Sequence, residues 1–387
     1  MRVAIAGGGL GGLAAALFLL RAGVRDVQVF EQQPQLGEIG AGIQVGPNAV
    51  RLLQRLSLGA ALTDVAVPFE VAWEFRRWQD GRVLFSESFG AAGAERFGAP
   101  YLALHRVDLL SVLASAVPAG VVALGRHVEG VDGDRFVFAD GSSSDPYDAL
   151  IGADGIHSVV RSAIAGPGEP VFTGLAAYRA LVPVEQAPEF ARRPVCSIWL
   201  GPSKHFVHYP VSGGSQVNLV TANPAGDWRE ESWIAEGSVP DFLAEFSGWD
   251  AAVLQLIGAA RETRRYAFYA REPIPRWVSG RVALLGDAAH PMLPFFAQGA
   301  GQAIEDGAVL AGCLRGVSAS EVVGALKRYE ALRIERATRV QRMSGERREH
   351  HHMPDGPEQV ARDAALGSQD PLSHNEWLYG HDVEADL

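Results

Sequence analysis

The feature that most constrains this fold is the first thirty-one residues, where a glycine-rich turn separates an apolar strand from a helix. Residues 2–6 form a short apolar run typical of a buried parallel strand, and residues 13–21 are rich in Ala and Leu, which favour a helix. Between them stand Gly7, Gly9 and Gly12 at the G-x-G-x-x-G spacing. At this spacing the three glycines permit a tight turn, the close approach of a pyrophosphate and the packing of helix on strand. The pattern predicts a dinucleotide-binding βαβ unit.

A second strand at residues 27–30 ends at Glu31, nineteen residues beyond Gly12. A carboxylate at this distance can accept hydrogen bonds from ribose hydroxyls, and it disfavours a 2′-phosphate. Leu10, at the start of the helix, and Gln32, next to Glu31, are expected to contact the same nucleotide. The sequence therefore predicts FAD or NAD rather than NADP; the alternative is a glycine-rich turn that binds nothing.

Composition narrows the classes of partner. The chain has 387 residues, enough for two domains, and its formal net charge of −11 argues against nucleic acid and anionic membranes as partners. Cys196 and Cys313 are the two cysteines, too few for a disulfide scaffold or a cysteine-rich metal site, and no metal is expected. No apolar run approaches the roughly 20 residues of a membrane span. We expect a soluble cytoplasmic protein.

The pattern along the chain predicts a nucleotide-binding framework interrupted by a β-rich module. Strand-like stretches recur between residues 170 and 265, and the α/β pattern returns at residues 281–287. Long helices are predicted at residues 302–314 and 320–348. Residues 353–374 are polar, contain Pro and Gly, and are interpreted as a loop-like tail.

Two later motifs each place an aspartate just after a predicted strand. One is Gly152-Ala153-Asp154-Gly155, which runs on to Arg161, and the other is Gly286-Asp287-Ala288-Ala289-His290-Pro291. Ligands of open α/β sheets bind at the carboxyl ends of strands, where an aspartate can accept from ribose or ribityl hydroxyls. Either dipeptide alone would more often be a simple turn.

Together and in this order, the three motifs resemble those of the single-component (group A) FAD-dependent aromatic hydroxylases. Residues 104–109 are similar to that family's flavin-contacting arginine segment. Residues 40–48 and 377–382 resemble the branch that includes salicylate hydroxylase, 3-hydroxybenzoate 6-hydroxylase and 6-hydroxynicotinate 3-monooxygenase. The resemblance covers nearly the whole chain.

The resemblance implies an α/β fold of the p-hydroxybenzoate hydroxylase type: a Rossmann-like FAD-binding domain with an inserted β-sheet substrate domain and C-terminal helices. The FAD-binding domain would comprise residues 1–70, 101–172 and 266–348. The substrate-binding domain would comprise residues 71–100 and 173–265, and residues 349–387 would form a C-terminal tail.

For the cofactor, the resemblance implies bound FAD, with Arg106 at the flavin, Asp154 near the pyrophosphate and the NAD(P)H path, and Asp287 at the ribityl chain. A helix from about Gly301 would point its N-terminus at the flavin, where it stabilises negative charge on the reduced ring. The expected cofactor-binding residues are Gly7, Gly9, Leu10, Gly12, Glu31, Gln32, Arg106, Asp154, Gly286, Asp287, Pro294, Gly299, Ala300 and Gly301.

The implied chemistry is hydroxylation of an aromatic small molecule, phenolic or hydroxy-heteroaromatic, by O2 through a flavin C(4a)-hydroperoxide, with NADH or NADPH as co-substrate. Deprotonating the substrate raises its reactivity, and histidine is suited to that role. On a strand, His205 and Tyr209 share one face and His208 points away. We predict His205 as base or proton relay and Tyr209 as the phenol-binding hydroxyl; Gln298 matches a family glutamine close to substrate and flavin. Purely structural roles for all three are the alternative.

Other residues are weaker candidates. Gln44 stands where hydroxynicotinate hydroxylases have a histidine, which argues against hydroxynicotinate as substrate. His290 is interpreted as structural, Phe295 and Phe296 as walls of the ring pocket, and His350–His352 as a solvated helix end rather than a metal site.

Two other function classes stay open at this level: a flavin-dependent epoxidase or halogenase-like oxidoreductase, and a non-catalytic FAD-binding sensor. The choice between NADH and NADPH and between monomer and homodimer is also open.

Overall fold

The computed structural model describes residues 1–37, 40–232, 234–368, 370 and 372–387. Its helices are α1 (Leu10–Arg21), α2 (Pro47–Arg55), α3 (Gly59–Val65), α4 (Gly90–Phe97), α5 (Arg106–Ala116), α6 (Val159–Ala165), α7 (Val239–Glu245), α8 (Ala251–Gly258), α9 (Gly299–Leu314), α10 (Val322–His351), α11 (Pro357–Gly367) and α12 (Glu376–Tyr379). Its strands are β1 (Arg2–Ala6), β2 (Asp26–Phe30), β3 (Gly42–Val45), β4 (Val67–Pro68), β5 (Val71–Arg77), β6 (Val83–Ser88), β7 (Leu102–His105), β8 (Val122–Ala123), β9 (Val128–Asp132), β10 (Arg135–Phe138), β11 (Ala149–Gly152), β12 (Val171–Pro183), β13 (Val195–Gly201), β14 (Lys204–Val211), β15 (Gln216–Pro224), β16 (Glu236–Gly237), β17 (Thr263–Ala270), β18 (Val278–Ser279) and β19 (Val282–Leu284).

A six-stranded sheet in the order β18-β19-β11-β1-β2-β8 forms the nucleotide-binding framework. β1 lies inside it and pairs in parallel with β2 and β11, so that Ala4 stands opposite Gln28 and Leu150. β11 in turn pairs in parallel with β19. Because parallel strands end at the same edge, the turns that follow β1, β11 and β19 meet there, and these are the three motifs of the sequence.

Helix α1 covers this sheet and packs closely against α9. A Cβ on Gly307 of α9 would fall 3.0 Å from both the N and the Cα of Ala15 in α1. Ala14, Ala15 and Ala16 are fully buried at this contact. Small side chains on both helices therefore set how closely they approach, and with it the position of the N-terminus of α9.

The second sheet has eight strands in the order β16-β17-β12-β15-β14-β13-β5-β6. β13 and β5 are parallel, and the other neighbours are antiparallel. Helices α7 and α8 cover one face, where Phe242 and Ile257 pack with Phe206 of β14. The opposite face turns toward the first sheet. The fold is thus the expected α/β framework with an inserted β-sheet and C-terminal helices.

A three-stranded antiparallel sheet, β3-β7-β4, joins the two larger ones. The N–H of Arg106, just after β7, donates to the carbonyl of Ala41 (2.9 Å). The N–H of Gly42 in β3 donates to Oδ1 of Asn218 in β15 (2.8 Å). This sheet therefore holds Arg106 and Gln44 between the nucleotide-binding framework and the eight-stranded sheet.

Two of the proposed domain boundaries fall inside paired strands. β12 runs across residue 172 and β17 across residue 265, and the two pair along their length, with Phe172 opposite Tyr269 and Arg179 opposite Arg264. The division into FAD-binding and substrate-binding segments stays a prediction, and at each of these two boundaries the residues on both sides belong to one strand of the eight-stranded sheet.

The expectation of a loop-like tail at residues 353–374 is wrong, because residues 357–367 form helix α11. Gly356 has a φ of +155°, and Pro357 occupies the first turn of the helix. Proline is compatible with the first turn because that N–H has no intrahelical partner, so the Gly-Pro pair marks a helix start here. Leu366 of α11 is buried in the same hydrophobic cluster as Phe85 of β6, so the helix packs against the eight-stranded sheet.

The longest helix, α10, has thirty residues. Tyr329 and Arg333 on it are fully buried, so the helix packs along the framework rather than lying free. Within the described ranges, no helix combines the length and apolar character needed to cross a bilayer.

Candidate active site

The glycine-rich turn after β1 is packed tightly on one side and open on the other. Gly7 has a φ of +104°, and a Cβ there would fall 2.4 Å from the carbonyl oxygen of Ala153. A Cβ on Gly12 would fall 1.9 Å from the carbonyl oxygen of Gly7. Gly9, by contrast, has open space around its Cα and precedes α1 as an N-cap without a side-chain acceptor. The first N–H groups of α1 are therefore left for an anionic ligand.

Glu31 fastens this turn to the end of β2. Its Oε2 accepts a hydrogen bond from the N–H of Gly8 (2.6 Å), and its Oε1 accepts one from the N–H of Gln33 (2.8 Å). A carboxylate has about four lone-pair directions, so acceptor capacity remains for ribose hydroxyls. Glu31 and its neighbour Gln32 line a cavity of about 260 Å³ beside the turn.

A second, larger cavity of about 390 Å³ lies between the framework and the eight-stranded sheet. Gly9, Arg106, Ala153 and Gly155 line both cavities, which therefore meet at these residues. Together they form one elongated space that runs from the glycine-rich turn to the face of the second sheet.

The two motif aspartates differ in their surroundings. Asp154 lines the smaller cavity, but its carboxylate accepts hydrogen bonds from the Ser158 hydroxyl (2.5 Å) and the Val159 N–H (2.8 Å) at the start of α6. Burial raises its pKa, and these hydrogen bonds oppose that effect. Asp287 lines the larger cavity, where enclosure raises its pKa and His290 opposes the shift. Asp154 thus also caps α6, whereas Asp287 faces the space where a ligand would lie.

A buried ion network holds the Gly286 turn. Asp306 accepts a hydrogen bond from the Gly286 N–H (2.8 Å) and lies 2.6 Å from Nε2 of His290. Arg333, fully buried, pairs with Asp306 and with Glu305 at 2.7 Å each. Burial alone would raise the pKa of Asp306, but His290 and Arg333 hold it below its ordinary value. His290 is thus part of this buried network and lines neither cavity, and its structural role stays a prediction.

Strand β14 presents alternate side chains to the larger cavity. His205, Val207 and Tyr209 line it, whereas His208 is buried on the other face beside Phe206. The predicted alternation is confirmed. Burial lowers the pKa of His208 to about 3, so this histidine is a neutral core residue.

Tyr209 belongs to a polar cluster around Gln44. Gln44 accepts a hydrogen bond from the Tyr101 hydroxyl (3.0 Å), and its Nε2 lies 3.2 Å from Sγ of Cys196. Burial raises the pKa of Tyr209, and its hydrogen bond to Gln44 opposes the shift. Tyr209 is therefore a neutral hydroxyl at physiological pH. Gln44 itself lines the larger cavity.

Gln298 closes the cavity beside the start of α9. Its Oε1 accepts a hydrogen bond from Asn48 (3.2 Å), and its buried Nε2 has no hydrogen-bond partner in the described parts of the chain. Helix α9 begins at Gly299, two residues before the expected point, and Gly299 and Ala300 line the cavity. Gly301 lines neither cavity. The cavity therefore contains an amide donor that has no acceptor among the described residues, beside a helix N-terminus.

The end of α10 brings two histidines to His205, so the interpretation of residues 350–352 as a solvated helix end is wrong. His351 is 2% exposed and lines the larger cavity, and neither of its ring nitrogens has a hydrogen-bond partner in the described residues. Nε2 of His352 lies 2.8 Å from Nδ1 of His205. The error has a physical cause: α10 continues to His351 and packs against the second sheet, so that His350 alone of the three is exposed. Among the described residues, no group of three or more His, Cys, Asp or Glu side chains could hold a metal ion.

The structure brings most of the predicted site residues to the two cavities. The smaller cavity is lined by Gly7, Gly9, Glu31, Gln32, Arg106 and Asp154; the larger is lined by Gly9, Leu10, Arg106, His205, Tyr209, Gly286, Asp287, Pro294, Gln298, Gly299 and Ala300. Gly12 and Gly301 lie outside both linings. Phe295 lines the larger cavity, whereas Phe296 is buried near Trp73.

Several cavity residues had no place in the sequence interpretation, and Arg179 is the most informative of them. It lines the larger cavity from β12, and its guanidinium lies 5.0 Å from the centre of the Tyr266 ring. Burial lowers its pKa to about 10, so it remains a cation at neutral pH. The signal in the sequence was an arginine inside the apolar run of residues 175–182.

Comparison with known proteins gives a consistent result. The model of the family described as FAD binding domain matches residues 1–344. A 3-amino-4-hydroxybenzoate 2-monooxygenase of Streptomyces platensis is 41% identical over 386 residues, covering 99% of this chain and 96% of that protein. A 3-hydroxybenzoate 6-hydroxylase of Polaromonas naphthalenivorans is 39% identical, covering 98% and 96%.

Comparison with solved structures also finds a hydroxylase and an FAD complex. A salicylate hydroxylase in complex with its substrate superposes with a TM-score of 0.83 at 29% identity, covering 100% of this chain and 97% of that one. Klebsiella pneumoniae HpxO, complexed with FAD and uric acid, gives a TM-score of 0.83 at 28% identity, covering 99% and 96%.

Proposed function

The chain belongs to the FAD-binding domain family of flavin-dependent aromatic hydroxylases, and we propose that it hydroxylates a single aromatic ring that carries both a hydroxyl and a carboxylate group. The relatives named above are monooxygenases of 3-amino-4-hydroxybenzoate and of 3-hydroxybenzoate. Each of these substrates is a hydroxylated benzene ring with a carboxylate. The proposal extends that substrate class to this chain.

The elongated space fits FAD. The open Gly9 and the free N–H groups of α1 suit a pyrophosphate, and the remaining acceptor capacity of Glu31 suits a ribose. Asp287 and the N-terminus of α9 would meet the ribityl chain and the flavin where the cavities widen. When bound and reduced by NADH or NADPH, FAD activates O2 and supplies an electrophilic oxygen atom to the ring.

One observation carries the proposal: the larger cavity places acid–base groups opposite the segment that would hold the flavin. His205 and Tyr209 line it from β14, while Asp287, Gln298 and Ala300 line it from the framework. A ring bound between them would present one edge to the flavin and its hydroxyl to the imidazole. The intervening lining is largely apolar, with Val207, Val220, Ile198, Met292, Leu293 and Phe295, which excludes water from the reacting atoms.

His205 suits the role of base. Burial lowers its pKa well below the ordinary value, and His352 adds to that effect, so the imidazole is neutral at pH 7 and has a lone pair for the phenolic proton. Removing that proton increases the electron density of the ring. In the net reaction NAD(P)H supplies two electrons, one oxygen atom of O2 enters the ring and the other leaves as water.

The carboxylate of the substrate would pair with Arg179. This arginine provides the larger cavity with a cation on the side of the second sheet, where Tyr209 also lies. A guanidinium matches a carboxylate in geometry and charge. Arg179 would therefore fix which carbon of the ring faces the flavin.

The test is a panel of 3-amino-4-hydroxybenzoate, 3-hydroxybenzoate, 4-hydroxybenzoate and salicylate with the FAD-loaded protein. We expect at least one acid to stimulate NAD(P)H oxidation and to gain one oxygen atom, measured by product mass. NAD(P)H oxidation that yields only hydrogen peroxide with every acid would contradict the proposed substrate class.

The role of His205 is tested with His205→Ala, and His208→Phe is the control. The control replaces the buried histidine on the opposite face of β14 by phenylalanine, the residue type already present at position 206 on that face. His205→Ala should retain FAD but lose coupled hydroxylation by roughly 100-fold, the usual scale of general-base catalysis. His208→Phe should remain coupled. Product yields from His205→Ala equal to those of the wild type would remove His205 from this role.

We also propose that the enzyme acts in the cytoplasm as a monomer or homodimer. Cys196 and Cys313 are both buried free thiols, which suits a reducing compartment. Light scattering after size-exclusion chromatography distinguishes the two assembly states.

A further inference from the structure

His205 is connected to the protein surface through a second histidine. Its Nδ1 lies 2.8 Å from Nε2 of His352, a hydrogen-bond distance between the two rings. His205 is 5% exposed, whereas His352 is partly exposed. Since one ring nitrogen of His205 is used in this contact, its Nε2 is the nitrogen left to meet a ligand in the larger cavity.

The fold fixes His352 in this position from two directions. It is the C-cap of α10, and its carbonyl accepts a hydrogen bond from the N–H of Ser203 (3.0 Å) in the turn between β13 and β14. The ring of Phe295 packs against both histidines, with ring centres 5.2 Å from His205 and 5.9 Å from His352. The contact between the imidazoles is therefore set by a helix end, a strand turn and a covering aromatic ring.

We propose that His352 is the outer member of a two-histidine proton relay that carries the phenolic proton of the substrate from His205 to solvent. The inference rests on the proposed function, because hydroxylation requires the removal of a phenolic proton and the relay is the route by which that proton leaves. His352 touches His205 and not the substrate, so it is a positioning residue rather than a catalytic one.

The proton count balances without a charged intermediate on either ring. In the starting state Nδ1–H of His205 donates to Nε2 of His352. As the phenol O–H bond breaks, its proton joins Nε2 of His205, the Nδ1 proton of His205 moves to Nε2 of His352, and Nδ1 of His352 releases a proton to water. The phenol becomes a phenolate, both rings end neutral in the other tautomer, and the reverse transfer protonates the hydroxylated product.

The electrostatic surroundings favour transfer over storage of the proton. Burial lowers the pKa of His352 to about 4, and Arg348 on the same helix adds to this. His351, whose ring also contacts His205, is itself kept neutral because burial and His205 lower its pKa. An imidazolium at either position is unfavourable at neutral pH, so a proton accepted from the phenol must move on.

The test compares His352→Gln, His352→Phe and the control His350→Gln in the oxidised, FAD-loaded protein without NAD(P)H. Glutamine can still accept the hydrogen bond from His205 but cannot pass a proton on, and His350 is the exposed neighbour in the same run. The probe is 4-hydroxy-3-nitrobenzoate, whose phenolate absorbs visible light. Its deprotonation after a stopped-flow jump from acidic to neutral pH gives the rate of proton transfer.

Both His352 variants should slow the bound-probe deprotonation by roughly tenfold or more, with the dissociation constant of the probe changed little, and added imidazole should restore the rate. His350→Gln should match the wild type. A His352→Gln rate equal to that of the wild type would show that only the hydrogen bond matters, and equal rates in all proteins would remove the relay. Because no turnover is needed, the result is independent of whether any acid of the panel is hydroxylated.

Discussion

At the scale of single residues, the larger cavity contains the cation Arg179 together with neutral polar groups. Arg179 stays charged, while burial keeps His205 and His351 neutral and Tyr209 protonated. On a ring that carries both groups, the carboxylate requires a fixed positive charge and the phenol requires an acceptor for its proton. The cavity offers both on the side of the second sheet.

Arg179→Met tests the assignment of the substrate carboxylate. Methionine retains most of the aliphatic volume, so the loss of the charge-assisted hydrogen bonds should raise KM for a hydroxybenzoate by roughly 10- to 100-fold. A phenol without a carboxylate should be bound equally by variant and wild type. The control is Arg264→Met, an arginine on β17 that lines neither cavity. A uniform rise in KM for acid and neutral phenol alike would refute the assignment.

Glu31→Ala tests the ribose contact at the other end of the elongated space. The variant removes the acceptor for two backbone N–H groups as well as for the nucleotide, so FAD affinity should fall by roughly tenfold or more. The measurement is the ratio of flavin to protein after gel filtration, followed by reconstitution with FAD. Glu129→Ala, an exposed carboxylate on β9, serves as control. Full flavin content in Glu31→Ala would contradict the contact.

The cavity residues that could be predicted are those whose position depends on local spacing. Gly7, Gly9 and Glu31 belong to one continuous βαβ unit, and the alternation of His205 and Tyr209 follows from the period of a strand. His352 depends instead on where a thirty-residue helix ends relative to a strand turn some 150 residues earlier in the chain, which no local pattern encodes. Arg179 and His351 reach the cavity by the same kind of long-range packing.

At the scale of elements, the contact between α1 and α9 determines where the flavin-side helix begins. Gly307 lies against Ala15, with no space for a further carbon between the helices. The close approach places the N-terminus of α9 next to the glycine-rich turn. A methyl group added at this crossing would displace the N-terminus of α9 relative to the glycine-rich turn.

Gly307→Ala should therefore reduce the free energy of unfolding by roughly 1–3 kcal/mol, because the new Cβ meets backbone atoms that cannot yield cheaply. Gly324→Ala is the matched control. Gly324 lies in α10, and no heavy atom of the described residues falls within 4 Å of the Cβ position, so the variant should gain up to about 1 kcal/mol from lower backbone entropy in the unfolded chain. Both are measured by denaturant titration. Equal effects at the two sites would refute the steric argument.

The prediction of helices and strands succeeded where the hydrophobic periodicity was strong. It failed where the same residue pair is found both in loops and at helix starts. The strands β1 and β2 were placed within one residue of their observed bounds. Gly356-Pro357 was interpreted as part of a loop, although the same pair also begins helices. The short strands β3 and β7 form only because each finds a partner far away in the chain.

At the scale of the whole molecule, the C-terminal segment fastens the two sheets to each other. The side chain of Arg51 on α2 donates to the carbonyl oxygens of Tyr379 (2.8 Å) and His381 (2.6 Å). Tyr379 also accepts a hydrogen bond from Trp73 of β5 (3.1 Å), which lines the larger cavity. Asn375 donates to Glu87 of β6 (3.0 Å), a carboxyl group that is 1% exposed.

Glu87 gives this junction a defined pH dependence. Burial raises its pKa to about 8, so the folded protein holds this proton more tightly than the unfolded chain does. The stabilisation is complete below the ordinary glutamate pKa and is lost as pH rises toward 8, at up to about 1.4 kcal/mol per pH unit. Wild-type Tm should therefore fall more steeply over this range than that of Glu87→Gln, which mimics the protonated form. Parallel curves of Tm against pH for the two proteins would contradict the shift.

The order of strands in the six-stranded sheet has a consequence for biosynthesis. β1 is synthesised before both of its later partners in the sheet, because its neighbour β11 and the next strand, β19, follow about 150 and 280 residues later. Loop-closure entropy must be overcome before such distant pairings contribute, which slows the search for them. The nucleotide cradle begins with β1 and is thus completed only after β19 has been synthesised. Flavin capture is therefore a late event relative to the synthesis of the glycine-rich turn.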